Sequence, residues 1–521
     1  MLPDRSGDDA SIRRYVLIST ASNYIGKIIN LGAWFFLTPF ILSRLSASEY
    51  GLWILVNSIV AYGGLLEFGI ASGVEKYIAE YQARGEIERS RNLIATAVVM
   101  YACLGLIAFG ASAVLAVIFP RFFIISNDQQ RLAMQLVLVA GAGLALSFPC
   151  TTPIAVLRGL KRFDLISMIS ITGTLLLAGS TAALLLSGGG LLGLVFLNIP
   201  VTLLMQIPAI LFVRKIAPDL HVHWRGVSFR LIKELFSFSS ALFVINVSSQ
   251  IQTKSDEIVI GAFLPVSNVT PYSIARRLGE MTQMLTDQFV KVLLPLSSQL
   301  FAEDDQSRLR KLYIASTRIT LITMLPLGFG AMILARPFLS AWVGPEYSNY
   351  SYLVWILTGA GMIQTSQWAA ILILQGMAKH RWLAVTSMIT GIANLSLSIF
   401  LVRRVGLVGV ALGTLIPTTI ESLLFILPYS MRSIGVSLRE IFVEVFLPGL
   451  TPAVPMAVLL ILLRESLQPV SFIQIGFVAG LGLLVYGLVY LVVSARDGER
   501  KLVREFATTA SQVLLTHFKQ V

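Results

Sequence analysis

The chain has 521 residues, 55% of them hydrophobic and only 13% charged, with a mean hydropathy of +0.78. That composition excludes a soluble globular domain and a disordered chain, and leaves a polytopic membrane protein. The formal net charge of +12 would also suit a nucleic-acid binder, but the basic residues follow membrane topology and argue against that class.

The first 14 residues are polar and end in Arg13-Arg14. The apolar run after them lacks a clear cleavage site and is long enough to span, so it reads as the first transmembrane helix. A span needs roughly 20 apolar residues. Fourteen stretches qualify: 15–42, 50–72, 92–119, 132–156, 165–186, 191–213, 236–264, 270–300, 312–339, 351–375, 383–402, 407–430, 441–463 and 472–494. The expected fold is an all-α polytopic membrane protein of about 14 transmembrane helices. Its domains are a cytoplasmic tail over 1–14, a six-helix lobe over 15–213 and a cytoplasmic linker over 214–235. A second six-helix lobe over 236–430, two extra helices within 441–494 and a basic tail over 495–521 complete it.

With a cytoplasmic N-terminus, the inside loops and tails hold 27 of the 40 basic residues and the outside loops seven. The positive-inside rule then places both termini in the cytoplasm. Six basic residues remain within helices: Lys27, Lys254, Arg276, Arg277, Lys291 and Arg318.

On the first helix Asn23, Lys27 and Asn30 are spaced by 4 and 3, one polar stripe at 3.6 residues per turn. Helix 2 carries Asn57 and Glu67. The linker sequence VSFRLIKELF is amphipathic and is expected on the inner membrane face, joining the two halves. The seventh and eighth helices are the unusual ones. Asn246, Gln250, Lys254 and Glu257 form a stripe, with Ser249, Gln252 and Asp256 on the other side of the same helix. Arg276, Glu280, Gln283, Asp287 and Lys291 form a second stripe. An ionised side chain at a bilayer centre costs about 2.5–3.5 kcal/mol even on the lenient scale, so such groups face protein or water. Helices 1, 2, 7 and 8 are therefore expected to line a wet central cavity. The bland alternative is local neutralisation, because Arg276–Glu280 and Asp287–Lys291 are i,i+4 pairs. Gln364, Gln367 and Glu421 are isolated polar groups suited to packing hydrogen bonds.

Cys103 and Cys150 lie in apolar segments, and the four histidines, His221 and His223 among them, form no zinc motif. The spacing gives no disulfide framework or metal cluster. The chain also repeats itself. Leu157-Arg158-Gly159-Leu160-Lys161-Arg162 matches Leu374-Gln375-Gly376-Met377-Ala378-Lys379, and Gly190-Leu191-Leu192-Gly193 matches Gly406-Leu407-Val408-Gly409 at nearly the same offset. Two six-helix halves entering from the same side make a parallel repeat.

Several stretches carry a family resemblance: Ser48-Glu49-Tyr50-Gly51-Leu52-Trp53, Leu65-Leu66-Glu67-Phe68-Gly69-Ile70, Glu75-Lys76-Tyr77-Ile78-Ala79-Glu80, Asp256-Glu257-Ile258-Val259-Ile260-Gly261 and Tyr272-Ser273-Ile274-Ala275. With Leu374-Gln375-Gly376 and the run from Gly406 to Thr414, over about residues 12 to 490, the chain resembles the polysaccharide (O-antigen, Wzx-type) flippases. These belong to the multidrug/oligosaccharidyl-lipid/polysaccharide exporter superfamily. Glu67 stands where that family usually has Asp. The resemblance implies two six-helix lobes in a V, often with two extra helices. It implies no enzymatic activity but translocation of an undecaprenyl-diphosphate-linked oligosaccharide to the outer leaflet. No cofactor is implied beyond a proton or sodium coupling ion. Partners would be the lipid-linked substrate, membrane lipids, and a polysaccharide polymerase with its chain-length machinery; nucleic acid is not one.

In that setting Lys27, Lys254, Arg276, Arg277 and Lys291 are candidates for the anionic diphosphate, which Arg binds well in bidentate fashion. Asn23, Asn30, Gln250 and Gln252 are candidates for the sugars. Glu67, Asp256, Glu257, Glu280 and Asp287 are candidates for the coupling ion. Rival readings are a multidrug exporter of the same superfamily, a membrane-bound glycan ligase or polymerase, and a scaffold for polysaccharide assembly. The longest outer loops, Pro120–Arg131 and Ser340–Tyr350, are too short for a catalytic domain.

Overall fold

The computed structural model describes residues 9–220, 226–496 and 498–500, with side chains described for all of these except 9–25, 237–242, 244–245, 285, 288–289 and 380. Residues 1–8 of the expected N-terminal tail, His221 and His223, and the basic tail after residue 500 lie outside the described residues; residues 9–14 of that tail are instead the opening of α1. Every regular element among the described residues is helical. In chain order these are α1 (Asp9–Leu42), α2 (Ala47–Gly63), α3 (Ile70–Arg84), α4 (Ile87–Phe122), α5 (Gln130–Gly159), α6 (Phe163–Leu186), α7 (Leu191–Ile216), α8 (Phe229–Phe263), α9 (Val269–Val290) and α10 (Leu293–Ala302). They continue with α11 (Gln306–Ile333), α12 (Ala335–Val343), α13 (Ser351–Ser366), α14 (Trp368–Gly376), α15 (His380–Val405), α16 (Leu407–Ile420), α17 (Leu427–Ile434), α18 (Leu438–Ile441), α19 (Leu447–Leu467) and α20 (Phe472–Val489).

Eleven helices among the described residues are long and apolar enough to cross a membrane, so this is a multi-pass membrane protein. They coincide with eleven of the fourteen expected spans. The other three fall on α1, α8 and the α9–α10 stretch, where the side chains of 9–25, 237–242, 244–245, 285 and 288–289 lie outside the described residues. The described apolar part of α1 is Gly26–Leu42. The expected span 270–300 is two helices, with α9 ending at Val290 and α10 starting at Leu293. Pro295 suits that break, because proline is tolerated in a helix's first turn, where no N–H donor is needed.

The stretch expected as an interfacial linker forms the opening of α8 from Phe229. Leu235 is fully buried, and Leu231 and Ile232 pack on a core built from α3, α4 and α5, including Ile78, Leu93, Tyr101 and Leu157. Arg230 and Glu234 form an i,i+4 pair at 3.2 Å on its outer side.

The described chain forms two compact units. One contains the chain up to Ser273 with Ser387–Gly413; the other contains Ile274–Thr386 and the chain from Thr414 onward. Helices in lipid associate through close packing of small residues more than through a hydrophobic force, and the first unit shows it. An added Cβ at Gly105 would lie 2.6 Å from the Ala145 carbonyl oxygen, and one at Gly51 would lie 2.2 Å from that of Val266. The second unit has its own core, from Leu300 of α10, Leu309, Tyr313 and Leu321 of α11, and Ile373 and Leu374 of α14.

The repeat read in the sequence recurs in the backbone. Lys161 and Ala378 both sit at φ 58°, a left-handed conformation rare for non-glycine residues. Arg162 N donates to Leu157 O at 2.9 Å, and Lys379 N donates to Leu374 O at 2.9 Å. Gly85 at φ 72° and Asp304 at φ 54° make a second matched pair. There Glu86 N donates to Tyr81 O and Asp305 N to Leu300 O. Gly159 and Gly376 face equivalent crowding, from Ile78 and from Ser297 respectively.

Candidate functional site

The polar groups of α8 divide between two neighbours in the first unit. On one side Gln250 Nε2 donates to Ala61 O at 2.8 Å, and Tyr62 OH donates to Gln250 O at 3.2 Å. On the other, Gln252 Nε2 donates to both Ser387 O and Ser387 Oγ at 2.9 Å. One turn on, Ser255 Oγ donates to the Ile251 carbonyl and lies 3.4 Å from Asn394 Oδ1. The Gln250 amide therefore fixes α8 to the end of α2, and Gln252 and Ser255 fix it to α15.

Directly after Ser255 come two adjacent carboxylic acids. Asp256 is 2% exposed and Glu257 is 0% exposed. The fully buried Tyr272, near the start of α9, donates its OH to Asp256 Oδ2 at 2.6 Å. Burying a charge is costly unless it is paired and hydrogen-bonded. Lys254, one turn from Glu257 along the helix, is half-buried.

The remaining expected residues are placed as follows. The side chain of Asn23 lies outside the described residues. Lys27 on α1 is half-buried, and Asn30 is exposed with its Nδ2 3.4 Å from Thr174 Oγ1 of α6. Glu67 ends a 3₁₀ turn, Gly64–Glu67, that breaks α2 from α3. Its Oε1 accepts from Tyr101 OH at 3.0 Å, and Phe68 and Gly69 then turn the chain at φ 52° and 73°.

In the second unit, Arg276 Nε lies 3.4 Å from Glu280 Oε1, and Lys291 Nζ 2.7 Å from Asp287 Oδ2. Both i,i+4 pairs are thus formed. Arg276 is mostly covered at 17% side-chain exposure, whereas Glu280 at 59% and Lys291 at 57% face outward. Arg277 is half-buried. The α9 stripe packs on α13 through glycine: a Cβ on Gly361 would overlap Gln283 Nε2 at 2.0 Å. Gln367 is buried and donates to Ser366 Oγ at 3.0 Å.

Arg318 has a role that the sequence did not suggest. It is 3% exposed on α11, and its guanidinium reaches Glu444 O at 3.2 Å, Ser494 O at 2.5 Å and Glu499 Oε2 at 3.1 Å. Tyr490 OH stands 3.3 Å from the same guanidinium. Glu444 and Ser494 belong to π-helical stretches, Phe442–Phe446 and Tyr490–Ser494. A π-turn alters the i→i−4 bonding of its carbonyls, which leaves them open to an outside donor.

Comparison with known proteins follows this geometry. A family model described as "Polysaccharide biosynthesis protein" matches residues 41–352, more than half of the chain. The chain is similar to a Haloferax volcanii protein named "Probable low-salt glycan biosynthesis flippase Agl15", 23% identical over 78% of this chain and 82% of that protein. It is also similar to the Bacillus subtilis "Uncharacterized membrane protein EpsK", 21% identical over 84% of this chain and 87% of that protein. Among solved structures, a lipid II flippase MurJ in an inward closed conformation superposes with TM-score 0.73 at 15% identity, covering 94% of this chain and all of the other. An inward-facing multidrug resistance MATE transporter superposes with TM-score 0.68 at 13% identity, covering 79% of this chain and 94% of that one. At these identities the structures show the fold, which is of the MurJ and MATE type.

Proposed function

Since the chain belongs to the polysaccharide biosynthesis protein family, a family of flippase-type transporters, we propose that it moves an undecaprenyl-diphosphate-linked oligosaccharide from the inner to the outer leaflet of a bacterial cytoplasmic membrane. It does so by alternating access, as two six-helix lobes with two further C-terminal helices, both termini in the cytoplasm, and a proton or sodium gradient as the driving force. A polysaccharide polymerase and its chain-length machinery take the product.

The observation that carries the coupling half of this reading is the pair of almost fully enclosed acids, Asp256 and Glu257, on a helix between apolar spans. Intramembrane acids that survive selection against their cost are carriers of protons or ions by default. Glu280 is 59% exposed whereas Asp256 and Glu257 are almost fully enclosed, so the coupling role falls first on those two, with Asp287, Glu280 and Glu67 beside Tyr101 as further candidates. Lys27, Lys254, Arg276, Arg277 and Lys291 are the candidate cations for the diphosphate. Each is able to offer charge-assisted hydrogen bonds. Asn23 and Asn30 are the candidates for the sugar; Gln250 serves it only by releasing Ala61.

The test is deletion of the gene in its host, followed by assay of lipid-linked intermediates on each leaflet. Loss of surface polymer with intermediates held on the cytoplasmic side supports the proposal. Normal polymer with new sensitivity to cationic drugs would move the function to multidrug export. Complementation with the triple variant Lys254→Gln, Arg276→Gln, Arg277→Gln should fail while folded protein persists in the membrane; restored export would sink the cationic assignment.

A further inference from the structure

The first unit holds a cavity of about 540 Å³ among α4, α5 and α7, away from the acids of α8. Its walls are mainly apolar, with Ile94, Val98, Pro153, Val156 and Val213 among them. The volume lies within the range of roughly 300–1,000 Å³ usual for sites that hold small molecules. Three polar side chains interrupt the apolar wall: Thr152, Gln206 and Arg214.

Thr152 is 1% exposed and its Oγ1 has no hydrogen-bond partner. A helical threonine normally satisfies its hydroxyl on the carbonyl one turn back; this one does not. The Gln206 Oε1 atom is likewise enclosed without a donor. Buried polar atoms in native proteins are nearly always satisfied, so each unmet one needs an explanation. A hydroxyl donates as well as accepts, and the Gln206 amide can turn to present its NH₂. The two side chains together can therefore grip an oxygen-rich group inside an otherwise apolar space.

Arg214, in the last turn of α7, is exposed and marks the mouth. The same end of the helices is basic, with Lys215 beside it, Arg158 in the last turn of α5, and Arg89 and Arg91 at the start of α4. At the side, Ile210 is 39% exposed, so the wall opens toward the hydrocarbon around the protein. Cation at the mouth, hydrogen-bonding groups within and an apolar exit match the order of groups in one molecule class.

We propose that this cavity is a binding site for an anionic glycerophospholipid. The phosphate rests on Arg214, the glycerol-ester region accepts from Thr152 and Gln206, and an acyl chain leaves past Ile210. Basic pockets between membrane helices on one side of the bilayer recognise anionic headgroups in this way. The proposal does not depend on the transport reading.

The experiment uses the purified full-length protein in phosphatidylcholine nanodiscs doped with phosphatidylglycerol, and counts retained lipid by native mass spectrometry. The wild type is expected to keep one phosphatidylglycerol in preference to phosphatidylcholine. Arg214→Gln, an exposed change that leaves the fold intact, should lower that retention about tenfold, the loss of one charge-assisted contact. Thr152→Val should lower it severalfold, and Val98→Trp should fill the space and abolish it. Retention in Arg214→Gln equal to wild type would overturn the site. Displacement of phosphatidylglycerol by an equimolar polyprenyl phosphate would overturn the phospholipid assignment.

Discussion

Gly51 provides a demanding test of the packing. It is buried on α2, and a Cβ there would lie 2.2 Å from Val266 O and 3.1 Å from Thr270 Oγ1. Close carbon–oxygen contacts normally stand at about 3.3–3.6 Å, so Gly51→Ala forces a displacement of roughly 1 Å. The obstructing atom is backbone, which no rotamer change can move aside. The displaced segment also carries the bond from Thr270 Oγ1 to Ala47 O at 2.6 Å. Overpacking costs about 1–3 kcal/mol and a strained hydrogen bond about 1 kcal/mol more, while alanine in a helix returns about 1 kcal/mol over glycine. The net expectation is about 1–3 kcal/mol of lost stability. Thermal unfolding in detergent, followed by tryptophan fluorescence, measures it. Gly32→Ala is the control, because nothing stands within 4 Å of a Cβ there; it should be neutral or stabilising. Equal unfolding midpoints for the two variants would refute the reasoning.

Lys161 and Ala378 hold left-handed backbone at φ 58°, so Lys161→Gly and Ala378→Gly should each add roughly 0.5–1 kcal/mol of stability, read as a higher unfolding midpoint; a fall at both sites would show that the turns are not strained. Arg318→Met removes a buried cation from Glu499, Tyr490 and two carbonyls, and should cost about 3–5 kcal/mol in the same assay. Glu499→Gln should cost less, because Glu499 remains 31% exposed; a wild-type midpoint for Arg318→Met would contradict the buried network. Tyr272→Phe removes the donor 2.6 Å from Asp256 and should cost about 1.5–3 kcal/mol, with wild-type stability showing that the bond contributes nothing.

Much of the helical order was legible because apolar runs of span length are hard to mistake, and eleven of them reappear as helices. The repeat was legible for a local reason. Leu157–Arg162 and Leu374–Lys379 encode the same turn, down to the left-handed residue. The motif around Gly51 was read as a family mark, and its physics became visible only in three dimensions. Glu49 closes a capping box with Ser46, and Gly51 admits a carbonyl from far along the chain. Spacing put Gln250 and Gln252 on different sides of α8 but said nothing of their partners. Gln252 and Ser255 meet Ser387 and Asn394, more than 130 residues away, and no local pattern encodes that. The break after Val290 was missed although Pro295 signalled it. Arg318 looked like a stray charge because its partners lie in segments beyond residue 440.

The central claim is movement of a lipid-diphosphate-linked oligosaccharide across a bilayer. The direct measurement reconstitutes the purified protein in liposomes that carry such a lipid with a labelled glycan, under an imposed proton or sodium gradient. An impermeant glycosidase added outside then reports how much glycan has crossed. The account predicts that glycan from the inner leaflet becomes accessible with wild-type protein, and that the Lys254→Gln, Arg276→Gln, Arg277→Gln variant leaves it protected. Accessibility no greater than in protein-free liposomes, under either gradient, would contradict it.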